Sequence, residues 1–218
     1  MNWLEAVDGY CERVDASVWS EPLNATTNIT FLIASVWILR KDGLNGLSRT
    51  LAYLLGAIGC ASFLFHTLAQ AWTGALDVVF ILFFTLLYLF AATKDFFGSK
   101  ISTALAVTIG YLPFSLLVGW LTSPLSFIGS TRIYAPILIL ILLFAALLSK
   151  RLPDVSRGLK IGAFILMISM LMRALDLPFC QAVPIGTHFL WHTLNAICLL
   201  YTSPSPRDLS TSRMPSSA

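Results

Sequence analysis

Charge is what this sequence has least of. Asp, Glu, Lys and Arg make up 11% of its 218 residues, against roughly a quarter in a soluble domain, while hydrophobic residues make up 57%. So few polar groups cannot solvate a globular surface, which excludes a water-soluble fold. The net charge is only +3 and no run of basic residues occurs, so the electrostatic footprint of a nucleic-acid partner is missing. Cysteine numbers four and histidine three. The first residues are polar and acidic up to about Asn24; they lack the basic n-region and small-residue cleavage site of a signal peptide, so the first apolar span is expected to direct insertion itself. The sequence shows no internal repeat and no soluble domain.

What fills the chain instead is apolar sequence in runs of roughly 17 to 25 residues, the length that crosses a bilayer. They fall at about 24–40, 48–69, 73–93, 101–120, 133–149, 159–176 and 185–201. These runs predict an all-α, polytopic membrane protein: one seven-transmembrane-helix domain over 1–201, which includes an acidic N-terminal segment, 1–23, on the outer face. Spans two and three are joined by little more than Gln70 to Trp72 and form an antiparallel hairpin. The loops carrying Arg40, Lys41 and Arg49, then Lys94 and Lys100, then Lys150, Arg151, Arg157 and Lys160 lie on one side. The other side offers only Arg13 and Arg132. By the positive-inside bias the N-terminus is expected outside and the C-terminus in the cytoplasm.

Against this background the stretch from Gly59 to Asp77 stands out, because it puts Ser62, His66 and Asp77 into or beside apolar spans. Ionisable groups there are costly and are functional candidates by default. Ser62 and His66 are four apart and share a helical face. The remaining histidines, His188 and His192, are again four apart, the spacing that lets two imidazoles reach one metal. At 1.5 Å per residue, His66 and Asp77 lie about 6 to 8 Å below the outer surface, and His188 and His192 occupy the first two turns of a span entering from that surface. Ser62, His66, Asp77, His188 and His192 therefore share one layer in the outer half of the membrane. Separate interhelical hydrogen bonds would be the bland explanation. Three histidines and an aspartate at one depth, with no histidine elsewhere, favour a metal site: His66, His188 and His192 as zinc ligands with a fourth position open for water. Such a zinc ion promotes ionisation of water; Asp77 is placed to carry a proton and Ser62 to hydrogen-bond a developing oxyanion. Ser62 as a covalent nucleophile ranks lower, since no separate dyad partner is present.

The Ser62-x-x-x-His66 pair with Asp77 eleven residues on, the His188-x-x-x-His192 pair enclosing Trp191, and Tyr10-Cys11-Glu12 with Glu21-Pro-Leu-Asn24 resemble the alkaline ceramidase family. That family belongs to a superfamily of seven-span membrane hydrolases that includes the adiponectin receptors. The resemblance runs from about Asp8 to Ile197. It implies a zinc-dependent amidase that cleaves ceramide-like membrane lipids to sphingoid base and fatty acid, with His66, His188 and His192 on zinc and Ser62 and Asp77 assisting catalysis. A lipid esterase or other acyl-amide hydrolase of the superfamily, and a non-catalytic receptor in which zinc only braces helices, stand as alternatives. The resemblance also implies a structural calcium near the N-terminal segment, for which Asp8, Glu12, Asp15, Glu21 and Asn24 with the Tyr10 carbonyl are the candidate set. The family carries an acidic residue directly before its aromatic-Cys-Glu triplet, where this chain has Gly9. The resemblance and a shared outer, periplasmic or lumenal location point to a Cys11–Cys180 disulfide.

Arg173 and Asp176 are expected to pair near the end of span six. The sequon-like Asn24-Ala-Thr and Asn28-Ile-Thr enter span one and are read as chance matches. Residues 198–218 form a separate segment: Cys198 to Asp208 looks like a translated sequencing-library adapter, and the composition alone reads as a disordered Ser/Pro-rich tail.

Overall fold

The computed structural model describes residues 2–7 and 9–202. Among them every extended element is a helix, apart from one isolated antiparallel bridge between Ala6 and Gln70. A short α1 (Pro22–Thr27) leads almost directly into α2 (Ile29–Leu39). Then come α3 (Gly46–Leu68), α4 (Ala71–Phe97), α5 (Ile101–Leu121), a kinked 3-10 segment η1 (Ser126–Tyr134), α6 (Ala135–Leu148), α7 (Pro153–Leu175), a 3-10 turn η2 (Leu177–Phe179) and α8 (His188–Thr202). Six stretches among the described residues are long and apolar enough to cross a membrane, beginning with Pro22–Leu39 and ending with Pro153–Leu175. The chain thus has the architecture of an integral, multi-pass membrane protein.

The helices are apolar nearly all round, as helices bathed in lipid are. In α5 the buried positions are Ala104, Tyr111 and Val118, one stripe at seven-residue spacing. On its outward side Ile109, Leu116 and Trp120 stand exposed. An apolar surface of that extent would aggregate in water; in hydrocarbon it is already solvated. Consecutive helices pack in sequence from α2 to α7, and α8 packs against α7, α2 and α1, which closes the bundle on itself.

Helix ends agree with the expected spans to within a few residues where the flanking sequence is polar. They differ where charges interrupt an apolar run without ending a helix. Thus α4 continues past Lys94 and Asp95 to Phe97, stopping at Gly98 in the left-handed region. Helix α7 starts at Pro153, six residues before the apolar run, because proline suits the first turn and Asp154, Arg157 and Lys160 lie on the solvated end. Helix α8 continues through Thr202, with Cys198 and Thr202 buried. The boundary expected at Cys198 therefore falls inside a packed helix, and residues 203–218 lie outside the described residues.

Between α3 and α4 the chain turns on Ala69 and Gln70 alone. Ala69 takes φ 45°, and its N–H still bonds the Phe65 carbonyl at 2.8 Å. Gln70 and Thr73 form a reciprocal cap that starts α4. The N-terminal segment lies over this turn, with Val7 N donating to Ala69 O at 2.8 Å and Ala71 N to Glu5 O at 2.9 Å. A Cys11–Cys180 disulfide ties the same segment to the α7–α8 connection, Cα to Cα 5.3 Å, as the sequence resemblance implied. The N-terminal segment, the α3–α4 turn and the start of α8 thereby meet at one end of the bundle.

Candidate metal centre

Two of those pieces supply a cluster of imidazoles. His66 comes from the last turn of α3, and His188 and His192 from successive turns of α8. All three are buried, and one candidate ligand nitrogen from each lies within 4.8 Å of the others. His66 Nε2 and His192 Nε2 are 3.1 Å apart. The opposite ring nitrogens of these two are engaged elsewhere: His66 Nδ1 meets Glu21 Oε2 at 2.6 Å, and His192 Nδ1 meets Thr27 Oγ1 at 3.0 Å. A carboxylate or hydroxyl on the far nitrogen fixes the ring and its tautomer, which is how metal-binding histidines are usually oriented. His188 is held differently. Its ring stacks on Tyr10 with centroids 3.8 Å apart, and its buried Nδ1 has no hydrogen-bond partner.

Three buried imidazoles facing one another, one with an orphaned nitrogen, leave more acceptor capacity than the surrounding donors fill. A cation resolves that deficit. Three nitrogen donors suit zinc, which takes histidine nitrogens and retains an open position when only three protein ligands are present. The residues present therefore fit the metal expected from the sequence.

Behind the histidines sits a second charged group. Glu21, immediately before α1, is buried and accepts from Arg13 Nε on one oxygen, and on the other from Asn24 Nδ2 at 3.1 Å beside the His66 contact. Burial alone would raise its pKa, but the hydrogen bonds and charges of His66, Arg13 and Asn24 outweigh it and hold the carboxyl below its ordinary range. Arg13 also donates to the carbonyls of Asp15, Ser17 and His66. A guanidinium thus stands among the oxygens expected to hold calcium. Glu12 spends both carboxylate oxygens on the N–H groups of Leu23 and Asn24, satisfying the open N-terminus of α1. The Asp15 carboxylate faces outward and bonds Ser17 N, which lowers its pKa. Tyr10 is turned toward His188, its phenol pKa raised by burial against the opposing charge of Arg173. Calcium needs six to eight converging oxygens, roughly 2.3–2.6 Å from the ion. Of the described members, Glu12 and Glu21 are engaged by protein donors while Asn24 Oδ1 is buried without a partner, and Asp8 lies outside the described residues.

The expected Arg173–Asp176 pair does not form. Asp176 lies one residue beyond α7, so the i, i+3 geometry of a helix no longer applies to it. It turns instead to the start of α8, where Oδ1 accepts from Thr187 N at 2.7 Å and His188 N at 2.9 Å, while Oδ2 accepts from Cys11 N at 2.9 Å. Gly186, at φ 66°, allows this approach; a Cβ there would fall on Asp176 Oδ1 and Cys11 Cβ. One buried carboxylate thus caps the helix that bears two of the three histidines.

Two cavities meet beside the cluster, sharing Asp77, Tyr134, Trp191 and His192 as a common wall. The first is narrow and apolar and runs toward Tyr88 and Thr202 between Phe31, Phe84, Ile141 and Leu166. Ser62 and Asp77 both line it, as does His192, so the two candidate catalytic residues share a wall with one ligand. The Asp77 Oδ1 atom is buried and has no hydrogen-bond partner. The second cavity, about 580 Å³, opens at the end of the bundle covered by the N-terminal segment, and Arg173 and His188 line it.

Glu21 as the orienter of His66, Thr27 as that of His192, and Asp176 as the cap of α8 carried no signal in the sequence. Their partners lie 45, 165 and 12 residues away in the chain. No family model matches the chain, and no curated protein matches it in sequence.

Proposed function

We propose that this chain is a zinc-dependent membrane hydrolase that cleaves the amide bond of ceramide-like lipids. Helix α8 serves as a seventh span, and the site faces the outer, periplasmic or lumenal half of the bilayer. The observation that carries the reading is the coincidence of a three-histidine cluster with an apolar cavity whose wall also holds Ser62 and an unpartnered Asp77 carboxyl oxygen. A purely structural metal would require the histidines alone.

His66, His188 and His192 would hold the ion; when bound, zinc supplies Lewis acidity to the amide carbonyl and eases the ionisation of water. The residues around it have separable tasks. Glu21 and Thr27 keep the imidazoles of His66 and His192 presenting Nε2. The acyl chain lies in the narrow apolar cavity, which keeps its carbonyl carbon next to the cluster and excludes bulk water. Asp77 takes the proton of the attacking water and returns it to the amide nitrogen as the C–N bond breaks, leaving a free amine and a carboxylic acid. The Ser62 hydroxyl donates to the carbonyl oxygen as negative charge gathers there.

The test combines metal analysis with a fluorescent ceramide assay on the purified protein, and an ester-linked analogue in parallel. One zinc per chain and amide cleavage are expected, both lost in His192→Ala. In Asp77→Asn zinc stays while the rate falls by about 10² or more, the usual contribution of a general acid–base. Zinc retained in the wild type with no cleavage of either linkage would sink the hydrolase reading and leave a metal-braced receptor. Faster cleavage of the ester would move the assignment to a lipid esterase.

A further inference from the structure

The second cavity contains a cation that the proposed chemistry does not use. Arg173, in the last turn of α7, is held by neutral groups: Nη1 donates to Ser130 Oγ at 2.8 Å and to Thr131 Oγ1 at 3.2 Å, and Nη2 approaches Tyr10 Oη at 3.4 Å. The faces of Tyr10, Tyr134 and Trp191 surround it, with ring centroids 5.6 to 5.9 Å from its central carbon. Among the described residues no carboxylate lies within ion-pairing distance of it. Aromatic faces attract a guanidinium but cannot accept its hydrogen bonds in the plane, and five N–H donors need more oxygens than three hydroxyls supply. Asp77, in the wall of the same cavity, is its electrostatic partner at longer range but does not pair with it directly, so the guanidinium's hydrogen-bonding capacity stays open to a ligand. The nearest carboxylate along its own chain, Asp176, is committed to three backbone N–H groups.

The surroundings show where such a ligand would lie. Arg173 lines the 580 Å³ cavity together with Ser130, Thr131, Asp77, His188 and His192, a volume in the range of small-ligand sites. The hydroxyls of Ser130 and Thr131 accept from Arg173, so their own protons remain available to an oxyanion beside it. This cavity and the apolar one lie side by side, both lined by Asp77 and His192. An N-acyl lipid with its amide at that shared wall places its chain in the apolar cavity and its head in the one that contains Arg173.

We infer that Arg173, with Ser130 and Thr131, forms a subsite for an oxyanion, a carboxylate or phosphate, borne by the head of the N-acyl lipid. This inference rests on the hydrolase reading for the identity of the ligand, but not for the existence of the subsite. It assigns the substrate class as anionic N-acyl lipids rather than neutral ceramides alone.

The experiment compares two amides that differ only in head charge, N-dodecanoylserine and N-dodecanoylserinol, in the wild type, Arg173→Gln, Arg173→Lys and Ser130→Ala. The wild type should favour the anionic amide by about tenfold or more in kcat/KM, the scale of one charge-assisted contact. In Arg173→Gln the loss should fall mainly in KM and be at least about tenfold greater for the anionic amide than for the neutral one, with Lys restoring part of the preference. Ser130→Ala, a change at an exposed position of η1, should reduce the preference without abolishing it and guards against misfolding of the arginine variants. Equal losses for both amides in Arg173→Gln, or no preference in the wild type, would overturn the inference. Dodecanoate inhibition that disappears in Arg173→Gln while the wild type shows no head preference would assign the cation to the fatty-acid product and equally overturn it. If neither amide nor the fluorescent ceramide is cleaved, the hydrolase reading fails, and thermal shifts with dodecyl phosphate decide the subsite. A shift present in the wild type and lost in Arg173→Gln sustains it; equal shifts in both refute it.

Discussion

Replacing Asp176 with alanine should be strongly destabilising. Its carboxylate accepts three backbone N–H groups from two separate segments, at 2.7 to 2.9 Å, and it is buried. A hydrogen bond to a charged acceptor is worth about 1.5 to 3 kcal/mol. Three do not add in full, because they share one anion and water can enter the space left by the side chain, so about 4 kcal/mol is expected. At about 2 to 4 °C per kcal/mol for a chain of this length, Asp176→Ala should melt about 8 to 16 °C below the wild type. Asp176→Asn keeps an oxygen for Thr187 and His188 and turns an amide N–H toward the Cys11 N–H, so it should lose only about 1 to 2 kcal/mol. The assay is thermal unfolding in detergent by tryptophan fluorescence, on metal-free protein, since bound metal would add its own stabilisation. Zinc affinity should fall in the same order, Ala below Asn below wild type, because the cap holds the first turn of α8 and with it His188. Both variants melting within about 2 °C of the wild type would refute the reasoning from geometry to stability.

The supports of the histidines can be probed through the metal. Glu21→Gln and Thr27→Val should each weaken zinc binding by about 10- to 100-fold in competition with a chromophoric chelator, and unchanged affinity in both would mean the rings are oriented by packing alone. Gly186→Ala sets a Cβ against Asp176 and Cys11 at φ 66°, so its unfolding free energy should drop by more than about 1 kcal/mol. Because Arg13 stands where a cation was expected, removing calcium with a selective chelator should leave the melting temperature unchanged. Arg13→Ala, which strands the buried Glu21 carboxylate, should cost about 3 to 5 kcal/mol in the same unfolding assay. A chelator-induced drop in the wild type would restore calcium to that site.

Six of the seven expected spans and the histidine cluster were legible because both rest on local rules. Apolar run length sets the helices, and i, i+4 spacing puts His188 and His192 on one face with His66 as the only other imidazole. The supporting residues were not legible for the opposite reason. Glu21 reads in sequence as one member of an acidic stretch, and its role is fixed by Arg13 and His66, which the fold alone brings to it. Arg173 and Asp176 illustrate the limit of a spacing rule: three residues apart they would meet on a helix, but the helix ends at Leu175 and the two side chains turn to different partners. At the other end, the apolar run expected over 185–201 is matched by α8, which packs Cys198 and Thr202 against α7.

The disulfide between Cys11 and Cys180 has a consequence in time as well as in space. Its partners are 169 residues apart, so during synthesis the N-terminal segment, with Tyr10 and Glu21, emerges long before the helix that bears His188 and His192. Until that helix is inserted, His66 has its carboxylate partner and no fellow ligands. A chain that stops between Cys180 and His188 would carry the tether with only one of the three histidines, whereas one that stops before Cys180 would leave the Cys11 thiol free.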